Sequence, residues 1–275
     1  MLLSEPAVLV DSHCHLNLMD YAQLGCDMDE VVARAGRDGV QYMLCVSVDL
    51  TAGAQVIAAA ERYGNVFASV GVHPNHVVEH EPTADSLSAG VASHPKIVAI
   101  GETGLDYYRN QVAVETQHTR FREHIAAAKR LRLPLIIHCR DAKQDVLRIL
   151  TEERADEVGG VMHCFVEDWD TARAALDLNF VISFSGIVTF KSAQNLREVA
   201  KRIPDDGFLV ETDSPYLAPV PFRGKVNQPA YTRQVALELA ALRGVTFETI
   251  AEQSTANFFR VFHHARPLVS SMNSG

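Results

Sequence analysis

The chain of 275 residues is 47% hydrophobic and 21% charged, a globular composition that excludes the disordered and fibrous classes. Its 25 Lys and Arg against 34 Asp and Glu give a formal net charge of -9, which argues against coating duplex DNA with an extended basic face. That balance still permits an enzyme that draws one strand end into a charged pocket.

In chain order, eight apolar, β-branched runs read as strands: 8–13, 43–48, 66–72, 97–102, 134–139, 159–164, 180–185 and 208–213. Each is mostly continuous rather than alternating, as for parallel strands covered on both faces. Helical patterns fill the gaps at 27–37, 51–63, 84–93, 114–133, 142–154, 169–178, 192–202 and 229–243, and 246–259 adds one more. Within 114–133, Phe121, Ile125 and Ala128 mark an apolar stripe at three- and four-residue spacing. Strict alternation, with no linker and no composition break, predicts a single (β/α)8 TIM barrel over residues 1–265 with an extra C-terminal helix. An open doubly wound sheet is the alternative, but no GxGxxG follows the first strand. Residues 266–275 are polar and are expected to form a flexible tail.

The opening segment MLLSEPAVLV lacks a basic stretch and does not read as a signal peptide. No apolar run approaches the ~20 residues of a membrane span. Cys14, Cys26, Cys45, Cys139 and Cys164 form no CxxC pair and are expected as reduced thiols. Because neighbours on a strand point to opposite faces, Cys14, Cys139 and Cys164 should face the helices while the adjacent histidines face inward. A cytoplasmic enzyme with no membrane association and no obligate protein partner is the expectation.

Barrel enzymes gather their chemistry at the C-terminal ends of the strands, so ligand-type residues should appear there. The first strand ends in Asp11-Ser-His13-Cys-His15, where a period of two would put Asp11, His13 and His15 on one face. Glu102 ends the fourth, between Gly101 and Gly104, where it could bridge two cations. His138 and His163 end the fifth and sixth, and Asp213 ends the eighth. Any one of these histidines alone reads better as a hydrogen-bonded core residue. Four of them with two carboxylates at one level read as a metal site. Nitrogen and oxygen donors without an inward thiolate suit zinc, manganese, iron or magnesium in differing degrees, and four histidines favour a transition metal. Glu211, one layer deeper than Asp213, is either an orienting residue or an ion-pair partner.

His73 ends the third strand and is a candidate contact for a substrate phosphate. His94, His118, His124, His263 and His264 read as surface residues, and His76 and His80 as exposed loop residues. Positive charge collects after the strands, at Arg109, Arg140 and Lys191 and at Arg223 and Lys225 in a Pro-stiffened loop. Such charges above a metal site favour an anionic substrate, with arginine gripping phosphate by its fork.

The segments DSHCHL, GVHP, GETGLDYY, HCRDA, HCF, SFSGIVTF and ETDSPYLAP, with the following RGK-N-P stretch, occur in one order across nearly the whole chain. In them the chain closely resembles the TatD family of metal-dependent hydrolases. The resemblance implies a (β/α)8 fold, two divalent cations and nuclease or phosphodiesterase activity. It assigns one cation to His13, His15, Glu102 and Asp213, and the other to Glu102, His138 and His163. One departure is Phe222, where close relatives often carry histidine.

The expected activity is hydrolysis of a phosphoester in DNA or RNA ends, with a 3′ exonuclease on single strands as its expected form. Glu102 and Asp213 would be the catalytic carboxylates, and His73, Arg140, Arg223 and Lys225 the substrate contacts. Two competing classes are a C–N hydrolase or aminoacyl-tRNA ester hydrolase on the same barrel, and a non-catalytic metal-binding protein. Glu102, standing where many binuclear amidohydrolases use a carboxylated lysine, favours the phosphoester.

Overall fold

In the computed structural model, which describes residues 7–91, 94–109 and 111–266, every apolar run becomes a strand. They are β1 Leu9–Cys14, β2 Val40–Cys45, β3 Val66–Val70, β4 Ile97–Asp106, β5 Leu135–Arg140, β6 Gly160–Met162, β7 Phe180–Phe184 and β8 Phe208–Val210. Each pairs in parallel with its neighbour in sequence, from β1 through β8. The barrel is nearly closed by a seam between β1 and the chain just after β8. There Cys14 bridges Ser214, His15 N donates to Ser214 O at 2.8 Å, and Asp213 N donates to His13 O at 2.9 Å.

The helices are α1 Tyr21–Leu24, α2 Met28–Arg37, α3 Leu50–Arg62, α4 Ala84–Val91, α5 Val114–Leu131, α6 Lys143–Glu152, α7 Trp169–Asp177, α8 Gln194–Arg202, α9 Thr232–Arg243 and α10 Phe247–Val261. Asp27, Asp49, Asp168 and Thr246 cap α2, α3, α7 and α10 by accepting a first-turn N–H. The one-turn α1 was not expected, and the expected end of the third helix at 93 lies outside the described residues. So does 267–275 of the expected tail. None of the described helices is long and apolar enough to cross a membrane.

Every strand contributes to an inner apolar layer, through Val10, Leu44, Phe67, Val98 with Ala99, Ile136, Val161, Val181 and Leu209. Phe258 of α10, with Phe262 and Ala265 beyond it, packs against this layer. Thr255 bonds Val8 O, and Asn257 bonds Asp205 O and Phe208 O, so α10 lies across the N-terminal end of the barrel. Above the apolar layer comes a layer of serines. Ser12 Oγ meets Ser183 Oγ at 3.2 Å, and Ser69 Oγ donates to Gly101 O at 2.6 Å. Bottom plug, apolar layer and serine layer leave the C-terminal mouth for polar chemistry.

Two strand boundaries differ from expectation in ways that matter at that mouth. β8 is shorter, leaving Glu211 to Asp213 in an irregular segment. β4 runs four residues past Glu102, because it keeps pairing with β5 through Gly104–His138 and Asp106–Arg140. The close approach requires glycine: Gly104 has φ +130°, and a Cβ there would overlap the His138 carbonyl.

Candidate metal centre

The end of β1 does not alternate as a regular strand should. Val10 joins the inner apolar layer, and Ser12 reaches over the β1–β8 seam to Val210 O at 3.0 Å. A register irregularity between Asp11 and Cys14 then lets His13, beside Ser12, also turn inward. The expectation that Asp11 shares the histidines' face is therefore corrected. Asp11 accepts from Thr212 N at 2.9 Å and Thr212 Oγ1 at 2.6 Å, clasping β1 to the segment after β8. Burial pushes its carboxyl up to about 8 against those hydrogen bonds.

His13 Nε2 and His15 Nε2 converge to 3.2 Å. His15 Nδ1 lies 2.9 Å from Val46 O; a carbonyl only accepts, so the ring proton sits on Nδ1 and the Nε2 lone pair points into the site. Asp213, in a left-handed backbone conformation at φ 56°, brings Oδ1 to 3.4 Å from His15 Nε2 and 3.8 Å from His13 Nε2.

Glu102 lies between two sets of imidazoles. Its Oε1 is 2.9 Å from both His138 Nδ1 and His163 Nε2. Its Oε2 is 3.6 Å from His13 Nε2 and 3.9 Å from His15 Nε2. Burial alone would raise the Glu102 carboxyl, but the surrounding imidazoles of His163, His13 and His138 hold it well below the usual range. Three groups of side chains converge closely enough to hold a cation: His13, His15 and Asp213; His13, Glu102 and His163; and His73, Glu102 and His138.

The donors fit divalent metal. Lone pairs and carboxylates aim at one another without enough hydrogens between them, and no thiol belongs to any of the three groups. His13 Nδ1 and His163 Nδ1 are buried without hydrogen-bond partners, so neither ring is held by a second bond as a plain core histidine would be. Glu211 Oε1 accepts from Cys164 N at 2.7 Å and stands 3.4 Å from His163 Nδ1, which puts it behind that ring as an ion-pair neighbour.

Asp106 escaped the sequence analysis. It is buried, and its Oδ2 lies 3.2 Å from His138 Nε2. A carboxylate there draws the ring proton to Nε2 and turns the Nδ1 lone pair toward Glu102. Its position in GETGLDYY, four residues beyond Glu102, was the available signal; the assumption that β4 ended at Glu102 hid it.

Two loops near the centre are braced by α5. Gln117 bonds Asp106 N at 2.9 Å and Asp106 O at 3.1 Å. Arg120 donates to the carbonyls of His73, Pro74 and His76 and forks onto Glu81. His124 accepts from Val72 N at 3.0 Å. His124 is thus fully buried and not on the surface, because its two nitrogens satisfy Val72 N and Arg120 O. His73 accepts from Asn75 N through Nδ1, so its proton sits on Nε2, 3.8 Å from Glu102 Oε1. That makes His73 a donor toward the site rather than a free lone pair.

A cavity of about 680 Å³ opens over these residues. His15, His73, Glu102, His138, His163 and Asp213 line it, and Arg109 and Arg140 stand at its wall. Arg223 and Lys225 are not in the wall. They are exposed in the loop after β8, Arg223 over the Phe190 ring at 4.0 Å and Lys225 near Phe222. Phe222 stacks flat on Tyr231 at 3.9 Å. One cysteine expectation is also corrected. Cys14 and Cys139 pack with the outer core as expected, Cys139 also reaching the cavity wall, whereas Cys164 lines the cavity without joining that core. β6 ends at Met162 and Cys164 has φ 44°, so strand alternation no longer governs it. His76, expected in solvent, also lines the cavity.

The family model for TatD-related DNases matches residues 10–263. The uncharacterized metal-dependent hydrolase YcfH of Escherichia coli K12 is 47% identical over 255 residues, covering 93% of this chain and 96% of that protein. The 3′-5′ ssDNA/RNA exonuclease TatD of Salmonella typhimurium is 32% identical over 88% of this chain and 95% of its own length. The crystal structure of YjjV, a TatD homologue from E. coli K12, superposes with a TM-score of 0.86 at 28% identity, covering 93% of this chain and 98% of that one. Since the match runs from the first barrel strand to the plug helix, this chain belongs to the TatD family of metal-dependent hydrolases.

Proposed function

We propose that the chain hydrolyses phosphodiester bonds at single-stranded DNA or RNA ends, from the 3′ side, with two divalent cations. The observation that carries this is Glu102, whose two oxygens face separate histidine sets beneath cavity-wall arginines. In this reading His13, His15, Glu102 and Asp213 hold one cation and Glu102, His138 and His163 the other, with zinc, manganese or magnesium as candidates. Cations so held supply Lewis-acid polarisation of a phosphoryl oxygen and a more acidic water.

The protein's own groups do the rest. Asp213, with 14% of its side chain exposed against 4% for Glu102, is the carboxylate that solvent reaches. Burial would raise its carboxyl, but the His15 ring and the charges of His13 and His163 hold it below the ordinary value. It is therefore ionised at neutral pH and takes the water's proton on a carboxylate oxygen. His73 donates from Nε2 to a phosphoryl oxygen, Arg140 holds a phosphate of the substrate strand, and Arg223 and Lys225 meet the strand outside the cavity wall. A recessed mouth admits a single-stranded end and keeps the stiff duplex out. The name of the Salmonella relative supports both the single-stranded substrate and the polarity. Five free cysteines suit the cytoplasm, where we place the enzyme.

The test is a screen of purified protein with Mg, Mn and Zn against a labelled single-stranded oligonucleotide, a nicked duplex, a generic phosphodiester and a panel of cyclic amides. Stepwise 3′ shortening that chelator stops is the expected result. Cleavage of the amides alone would overturn the proposal.

A further inference from the structure

Arginines in this acidic chain mostly have acids to bond. Arg34 and Arg37 share Glu30, Arg120 takes Glu81, Arg148 takes Asp145 and Glu152, and Arg197 takes Glu238. Arg109 and Arg140 are different. Both line the cavity, and among the described residues neither has a carboxylate within ion-pair distance. Uncompensated cations beside a candidate metal centre, in a chain of net charge -9, are placed to receive an anion.

Arg140 also covers an aromatic ring. Its guanidinium carbon lies 4.0 Å from the centroid of Tyr108. Tyr108 is nonetheless 63% exposed, so the ring face away from Arg140 is open. An exposed ring backed by a cation gains little for folding and offers a flat surface for another planar group.

The turn that presents the ring is tied to the centre by hydrogen bonds. Tyr108 N and Arg109 N both donate to Asp106 Oδ1 at 3.0 Å. The other oxygen of that carboxylate meets His138 Nε2 at 3.2 Å. Tyr107 N donates to Arg140 O at 3.0 Å, which locks the ends of β4 and β5 together. One buried carboxylate therefore sets the position of Tyr108 and Arg109 relative to a proposed ligand.

We infer that Tyr108, Arg109 and Arg140 form a nucleotide subsite beside the scissile phosphate. The neighbouring base stacks on the open face of Tyr108, and the two arginines hold the neighbouring phosphate. The inference rests on the nuclease reading and adds to it a requirement for a base next to the bond that is cut. Stacking accepts any base, because every base has a flat π face.

The experiment measures kcat/KM for two single-stranded oligonucleotides that differ only in carrying bases or abasic sites near the 3′ end. Wild-type protein should favour the base-bearing strand by about tenfold. Tyr108→Ala should erase that ratio through KM, and Tyr108→Phe should keep it. Arg140→Ala should raise KM for both strands and make KM less sensitive to salt. A ratio equal in wild type and Tyr108→Ala, with cleavage intact, overturns the subsite alone. No cleavage of either strand by wild-type protein overturns the nuclease reading and the subsite with it.

Discussion

Asp213 stands in the irregular segment three residues past β8, where its carboxylate meets the β1 histidines. Asp213→Asn keeps the shape but removes a proton acceptor, so kcat should fall by about 10²–10⁴-fold with the fold unchanged by circular dichroism. Near-normal turnover in that variant would remove Asp213 from its proposed role. Asp106 acts one step away, through His138. Asp106→Asn should weaken metal binding by about 10–100-fold in a calorimetric titration, a readout that does not depend on catalysis. At this scale most of the candidate centre was legible in sequence, because His13, His15, Glu102, His138, His163 and Asp213 each end an apolar run. Asp106 was not. Its role depends on β4 outrunning the apolar run that announces it, and continued pairing with β5 decides that.

Among the elements, α5 shows how a helix can carry two buried faces. The Phe121, Ile125 and Ala128 stripe read correctly as core. Gln117, Arg120 and His124, spaced by three and four residues beside that stripe, are also buried, although such residues usually mark a solvent face. They are paid for by backbone groups of the loops after β3 and β4, which no local window contains. His124 gives a measurable consequence. Burial lowers its ring to about 4 from the ordinary value, so the native state stays neutral where the unfolded chain takes a proton. Stability is therefore full above pH ~6.5 and is lost as pH falls toward about 4, by on the order of 2–3 kcal/mol. Urea unfolding of wild type and His124→Gln across that window tests it: the wild-type loss should be the larger, and parallel curves would contradict it. β1 is the opposite case, since its slip between Asp11 and Cys14 reversed the face expected for Asp11.

For the whole molecule, the plug formed by α10 supports a candidate centre it never touches. Phe258 is fully buried against the inner apolar layer, at the end opposite the mouth. Phe258→Ala should cost about 3–5 kcal/mol in denaturant unfolding, while metal affinity of the folded protein stays near wild type. A large loss of affinity without loss of stability would contradict that division of labour. The alternation of β-branched runs with amphipathic segments already specified eight strands, their helices and the kind of residue at each strand end, because burial on both faces and helical periodicity are written in neighbouring residues. The facing of Glu102 between two imidazole sets, the Asp11–Thr212 clasp, and the separation of Arg140 in the cavity from Arg223 outside it were settled only by barrel closure. Closure brings the first strand to the last, and its effect on any side chain is a property of the whole ring rather than of a local stretch.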